Sequence, residues 1–198
     1  MSEDLLTVVR NVARLMALHN TGLLDTPSEE SFDRFTRLAS HTLAAPIALL
    51  SLVDRERQFF KSARGLAEPW ASRRGTPLSY SFCKHAVASG APFVVEDARG
   101  TPAVRDNRAV GELGILAYAG MPVRSGEGYV LGTLCVMDHR ARSWSTQQLA
   151  ALRDLADCVS EEIQLRTHLR EAGTTRRETE GRRAELDQSS SALTPGKS

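Results

Sequence analysis

Ile115-Leu116-Ala117-Tyr118-Ala119-Gly120-Met121-Pro122-Val123-Arg124 runs into Ser125-Gly126-Glu127-Gly128 and then into Tyr129-Val130-Leu131-Gly132-Thr133-Leu134-Cys135-Val136-Met137-Asp138. Two long strand-forming runs joined by a four-residue, glycine-containing connection predict an antiparallel hairpin. Upstream, Ile47 to Val53 is apolar on both alternating faces, the pattern of a strand covered on both sides, and it reads as the central strand. Asp54-Arg55-Glu56-Arg57 then turns the chain, and Phe59, Phe60 and Ala63 suggest a paired second strand.

Helices flank these strands. Leu5, Val8, Val9, Val12, Leu15 and Met16 recur at helical spacing, so residues 1–20 read as one amphipathic helix, broken by His19-Asn20-Thr21-Gly22. Thr26-Pro27-Ser28-Glu29 is a capping-box pattern that predicts a second helix, with Phe32, Phe35, Ala39 and Leu43 as its buried stripe and an end before Pro46. Arg64 to Pro77, rich in glycine and proline, reads as a long loop. Ser81 to Ser89 reads as a short helix closed by Gly90, Phe93 to Val95 as a short strand, and Ala98 to Gly114 as a second polar stretch. Ser145-Thr146-Gln147-Gln148 repeats the capping box, and Leu149, Leu152, Ala156, Val159 and Ile163 carry a long closing helix. Beyond Arg170 the composition turns charged and then polar, which predicts fraying helix and then disorder over 170–198 and reads as a natural end of the chain. The order of elements describes an α+β domain with an antiparallel sheet.

Composition narrows the function. With 198 residues, 41% of them hydrophobic and 25% charged, the chain supports one core with extensions. Lys+Arg 25 against Asp+Glu 24 leaves a net charge of +1, without the broad positive field of nucleic-acid binders. The longest apolar stretch, Leu43 to Val53, is interrupted by Pro46 and Ser51 and is far shorter than the roughly 20 residues of a membrane span. The acidic opening Met1-Ser2-Glu3-Asp4 is unlike a secretory signal. Cys83, Cys135 and Cys158 form an odd set with no C-x-x-C spacing, which fits free thiols in a reducing cytosol and no structural metal. A cytoplasmic protein is expected, with neither nucleic acid nor membrane as partner.

Gly22-Leu23-Leu24-Asp25-Thr26-Pro27, Ser51-Leu52-Val53-Asp54, Gln58-Phe59-Phe60-Lys61, Ser81-Phe82-Cys83-Lys84-His85-Ala86-Val87 and Leu131 to Asp138 fall in the order seen in bacterial GAF domains, which the chain resembles over residues 21–169. The resemblance implies a central antiparallel sheet, helices from the chain ends packed on one side, and a pocket on the other side roofed by the middle loops. It also implies a stand-alone, non-catalytic sensor that binds a small ligand or a partner protein. Similar domains precede histidine kinases, diguanylate cyclases and serine phosphatases, so such a signalling protein is the expected partner; the cofactor is unknown. Two alternatives stay open: a thiol-dependent enzyme of the free methionine sulfoxide reductase kind with Cys83 as nucleophile, and a ligand-free docking module whose pocket is packed shut. The companion motifs of bilin-binding and cyclic-nucleotide-binding GAF domains are missing from this sequence.

Long loops in a compact domain are where function concentrates. Trp70, Tyr80, Phe82, Cys83, His85, Asp97, Arg105, Asn107 and Tyr118 are therefore the ligand-pocket candidates, with Arg73, Arg74, Arg99 and Asp106 as further polar groups. Loop charges that merely pair with one another, and aromatics that merely anchor their loop, are the plain alternatives. Cys83 and His85, two apart, diverge if they lie on a helix. Cys135 and Cys158 read as buried core or interface thiols. No Walker loop, G-x-S-x-G elbow or H-E-x-x-H pair occurs, so no catalytic residue is assigned. Leu5, Val8, Val12, Leu15, Leu152, Val159 and Ile163 repeat at three-four spacing and form candidate seams of a helical homodimer; packing within one protomer is the equal alternative.

Overall fold

The computed structural model describes residues 3–192. Its centre is β1 (Ile47–Val53), all seven residues of which are buried. That burial follows from its place in a six-stranded antiparallel sheet, where it lies between β2 (Arg57–Arg64) and β6 (Val130–Asp138). Beyond β2 lies the short β3 (Gly75–Pro77); beyond β6 lie β5 (Ala117–Arg124) and then β4 (Phe93–Val95). The β5–β6 hairpin pairs Tyr118 with Met137 and Gly120 with Cys135. β6 can approach β1 because Gly132 has no side chain: a Cβ there would lie 1.9 Å from the Ser51 carbonyl oxygen.

The alternation of side chains divides the core in two. One face, with Leu50, Leu52, Leu134 and Val136, packs beneath α3 (Glu30–Leu43) and α7 (Thr146–Ala192), which contribute Phe32, Ala39 and Leu43, and Leu152, Ala156, Val159 and Ile163. The other face, with Leu49, Phe60, Tyr118, Cys135 and Met137, is covered by α5 (Cys83–Ser89), the 3₁₀ turn Leu78–Tyr80 and α6 (Arg108–Leu113).

Several local expectations are corrected. In place of the single helix expected over 1–20, residues 3–20 hold two helices, α1 (Glu3–Val9) and α2 (Val12–Asn20), because the Asn11 side chain accepts the Arg14 amide at 3.0 Å and restarts the helix. These helices divide between the faces: Val9 joins the α5 side and Leu18 the α3/α7 side. Arg14 on α2 is buried and donates to the Val9 and Val130 carbonyls at 2.9 and 3.3 Å, pinning both helices to the sheet. α3 begins at Glu30 rather than at Pro27, and Glu29 makes no cap. The expected loop 64–77 contains α4 (Trp70–Arg73) and β3, and the stretch 98–114 contains a 3₁₀ turn (Ala98–Gly100) and α6. Helical backbone continues past Arg170 to Ala192, in keeping with the helix propensity of its Arg, Glu, Ala and Leu residues; residues 193–198 lie outside the described part. Cys158 is exposed, not buried. No described helix is long and apolar enough to cross a membrane.

Candidate functional site

The α5 face carries a layer of polar groups. Ser51, Gln58 and Thr133 project from β1, β2 and β6 and are buried, as are Thr76 and Ser81. The Ser51 and Ser81 hydroxyls both donate to Gln58 Oε1, at 3.1 and 2.7 Å, and Gln58 Nε2 donates to Thr76 Oγ1 at 2.7 Å. Tyr118 Oη lies 3.4 Å from Thr133 Oγ1. The Tyr118 ring occupies space that Gly120 leaves free, since a Cβ on Gly120 would sit 2.0 Å from that hydroxyl. These groups satisfy one another, as buried polar atoms must.

Above this layer is a cavity of about 30 Å³, room for a water or two, reached by Tyr80, Phe82, Cys83 and Tyr118 and by Leu66 and Leu113 from the two middle loops. The loop-roofed pocket is thus present and nearly filled. Phe82 packs on Tyr118 with ring centroids 5.4 Å apart, and Trp70 packs on Tyr80 at 5.1 Å. Tyr80 donates its hydroxyl to Glu112, which also accepts from Arg108 Nε at 2.7 Å, while the Arg108 guanidinium lies 4.6 Å from the Tyr80 ring centre. The hydrogen bond to Glu112 raises the Tyr80 pKa, and those from Arg108 and Tyr80 lower that of Glu112.

Of the nine pocket candidates, Tyr80, Phe82, Cys83 and Tyr118 meet at the cavity and Trp70 adjoins Tyr80. His85 diverges from Cys83 on α5, stacks on Phe93 at 4.7 Å and lines an open groove of about 480 Å³ together with Lys84, Asp106 and Asn107. Its Nε2 is enclosed without a hydrogen-bond partner, and burial, aided by the charge of Lys84, lowers its pKa to about 4. Asn107 is structural: its Oδ1 caps α6 at the Ala109 amide (2.9 Å) and its Nδ2 donates to the Ser81 carbonyl (3.2 Å). Asp97 and Arg105 stay at the surface, paired with Arg99 and Asp106. Arg74 is also structural, donating to the Thr26 and Lys61 carbonyls. Among the described residues no group of three His, Cys, Asp or Glu gathers at metal-binding range.

Sequence reading missed the Ser51–Gln58–Ser81 network, which is assembled from different strands by the sheet's register. Polar residues inside otherwise apolar strands were the available signal. It missed a second cluster on the opposite face. Lys61, the bulge residue of β2, is fully enclosed and donates to Thr26 Oγ1 (2.7 Å), the Pro27 carbonyl (2.8 Å) and Glu29, with its ammonium 5.5 Å from the Phe32 ring centre. Glu29 also accepts from Arg166 on α7, which reaches Glu162 (2.7 Å) and Ser31 (2.8 Å) as well. Hydrogen bonds from Lys61 and then Arg166 hold the Glu29 carboxyl below the usual range.

The expected helical seams are corrected in part. Leu152, Val159 and Ile163 are buried in their own protomer's core, because they form the stripe by which α7 meets the sheet. Leu5 packs into the α5-side core and Leu15 is half-buried. Val8 and Val12 are exposed, as are Met16 on α2 and Leu165 and Leu169 on α7.

Comparison with known proteins agrees with this architecture. Over 144 residues, 72% of this chain, the sequence is 38% identical to a cyclic di-GMP phosphodiesterase of Pseudomonas aeruginosa, and the match spans 24% of that relative's length. The fold matches the GAF domain of a phosphoenolpyruvate-protein phosphotransferase from Coxiella burnetii (TM-score 0.59, 19% identity, 81% of this chain and 96% of that one). It also matches a free methionine-R-sulfoxide reductase from Neisseria meningitidis solved with its substrate (TM-score 0.56, 15% identity, 77% and 88%). These two likenesses speak for the fold. The GAF domain family model matches residues 27–163, well over half of the chain, and the chain belongs to that family.

Proposed function

We propose that this chain is a non-catalytic, cytoplasmic sensory module that works as a homodimer through its flanking helices and passes its state along α7 to a signalling protein such as a histidine kinase, diguanylate cyclase or serine phosphatase. The observation that carries this reading is the change in α7 at Ile163. Up to that residue the helix buries a side chain at nearly every turn against the sheet; beyond it, Leu165 and Leu169 are exposed and no described apolar side chain is buried. Helices draw most of their stability from a packed apolar face, so this part calls for a partner, and a second copy supplies the same stripe. Arg166 and Arg170 fasten the transition to the domain, the first through Glu29 and the second through the Thr21 carbonyl at 2.5 Å.

The cavity favours docking over capture of a metabolite. Metabolite-sized pockets run to hundreds of Å³, and about 30 Å³ does not admit an amino acid such as methionine sulfoxide. Sedimentation velocity tests the reading. The wild-type chain should sediment as a dimer and the Leu165→Glu/Leu169→Glu variant as a folded monomer. A wild-type monomer at tens of micromolar, or a dimer indifferent to these charges, would refute the seam.

A further inference from the structure

Cys83 and Cys135 come from different elements, the first residue of α5 and the middle of β6, yet their sulfurs lie 3.9 Å apart. Both thiols are buried. Burial alone would leave them as inert small hydrophobes. Two features set this pair apart. Cys83 lines the cavity of about 30 Å³, which has the capacity for hydrogen peroxide and little else. The Cys135 thiol and the hydroxyls of Thr133, Tyr118 and Ser51 also offer hydrogen bonds that favour a Cys83 thiolate against burial, while the hydrogen bond to Cys83, burial and the charge on Cys83 push the Cys135 thiol up.

We propose that Cys83 and Cys135 form a peroxide-driven, reversible intramolecular disulfide, with Cys83 as the attacking sulfur and Cys135 as the resolving one. The Cys83 thiolate attacks one oxygen of hydrogen peroxide; the O–O bond breaks, an S–O bond forms, and hydroxide leaves and takes up the thiol's proton as water. Cys135 sulfur then attacks the Cys83 sulfenic acid; the S–S bond forms, the S–O bond breaks, and the second hydroxide leaves as water with the Cys135 proton. Two thiols lose two electrons in all, and peroxide gains them to become two waters. The sulfurs must close by roughly 2 Å to reach disulfide length. α5, which carries Cys83, also packs on α1, so that movement reaches an N-terminal helix. The site stands apart from the dimer seam and does not depend on it.

The test uses the full chain with Cys158→Ser, which removes the exposed thiol, beside the wild type. After treatment with hydrogen peroxide and quenching with catalase, remaining thiols are alkylated under denaturing conditions and a non-reduced digest is read by mass spectrometry. The expected result is a joined peptide containing Cys83 and Cys135 that dithiothreitol separates, with both residues protected from alkylation. In Cys135→Ser, Cys83 should instead be trapped by dimedone as its sulfenic acid. Full alkylation of Cys83 and Cys135 under conditions that oxidise Cys158 in the wild type would overturn the proposal. So would a crosslink that forms only when urea is present during oxidation.

Discussion

The two faces of the sheet place buried polar groups in opposite ways. On the α5 face the polar side chains of the sheet itself, Ser51, Gln58 and Thr133, are neutral and bond locally: Gln58 accepts from Ser51 and Ser81. On the α3/α7 face the polar feature is a full charge, the Lys61 ammonium, which reaches outward through Glu29 to Arg166 on α7. One face is closed and local, and the other is connected to the long helix. The local network and the link to α7 therefore fall on opposite sides of β1 and β6, which contribute to both.

The largest effect is expected where the closed face is opened. Tyr118→Ala should cost about 4 kcal/mol in urea unfolding and create an apolar void, detectable as xenon or benzene binding that the wild type lacks. On the connected face, Glu29→Ala leaves the Lys61 ammonium without its counter-charge and should cost about 2 kcal/mol, less than a fully buried pair because the Glu29 side chain is 38% exposed; Lys61→Met combined with Glu29→Gln should recover most of that loss, because no charge is then left buried. The recovery separates a charge requirement from a packing one.

The two faces also respond over different pH ranges. His85, whose folded pKa is depressed to about 4, is neutral when folded and gains its proton more readily when unfolded. Its contribution is fully present above the unfolded value near 6.5 and is lost as pH falls through the folded value. Stability should therefore decline from pH 6.5 to 4 by up to about 1.4 kcal/mol per pH unit, and His85→Phe should flatten that slope. The Glu29 carboxyl, held low by Lys61, acts in the same direction at lower pH: its stabilisation is present above the ordinary carboxylate range and disappears as pH falls through its depressed folded value. The smallest effects belong to Asp97→Ala and Arg105→Ala, each within about 0.5 kcal/mol, since both side chains hold exposed ion pairs.

Legibility in the sequence followed the range of the interaction that decides each feature. β1 lies at Ile47–Val53 as its apolar run predicts, and α3 ends ahead of Pro46 at Leu43, because hydrophobic continuity and proline geometry act within a few residues. Two capping-box patterns had different fates. Ser145 and Gln148 exchange amide hydrogen bonds at 3.0 and 3.1 Å and start α7. Thr26 and Glu29 turn instead to Lys61, because a buried ammonium needs acceptors more than a helix end needs a cap. The aromatic candidates Tyr80, Phe82 and Tyr118 converge with Cys83 since apolar groups beneath loops gather by burial, whereas Asp97 and Arg105 found partners close by in sequence and stayed outside. Cys135 could not be paired with Cys83 from sequence: their approach depends on strand register and on the seat of α5, neither of which is written locally.

Native mass spectrometry of the gently purified chain tests the central claim most directly, that the module is closed on one face and dimeric through its helices. The account predicts a dimer whose mass equals two chains, with no metabolite released on denaturation. A small molecule released in stoichiometric amount would contradict the closed cavity, and a bare monomer would contradict the helical seam.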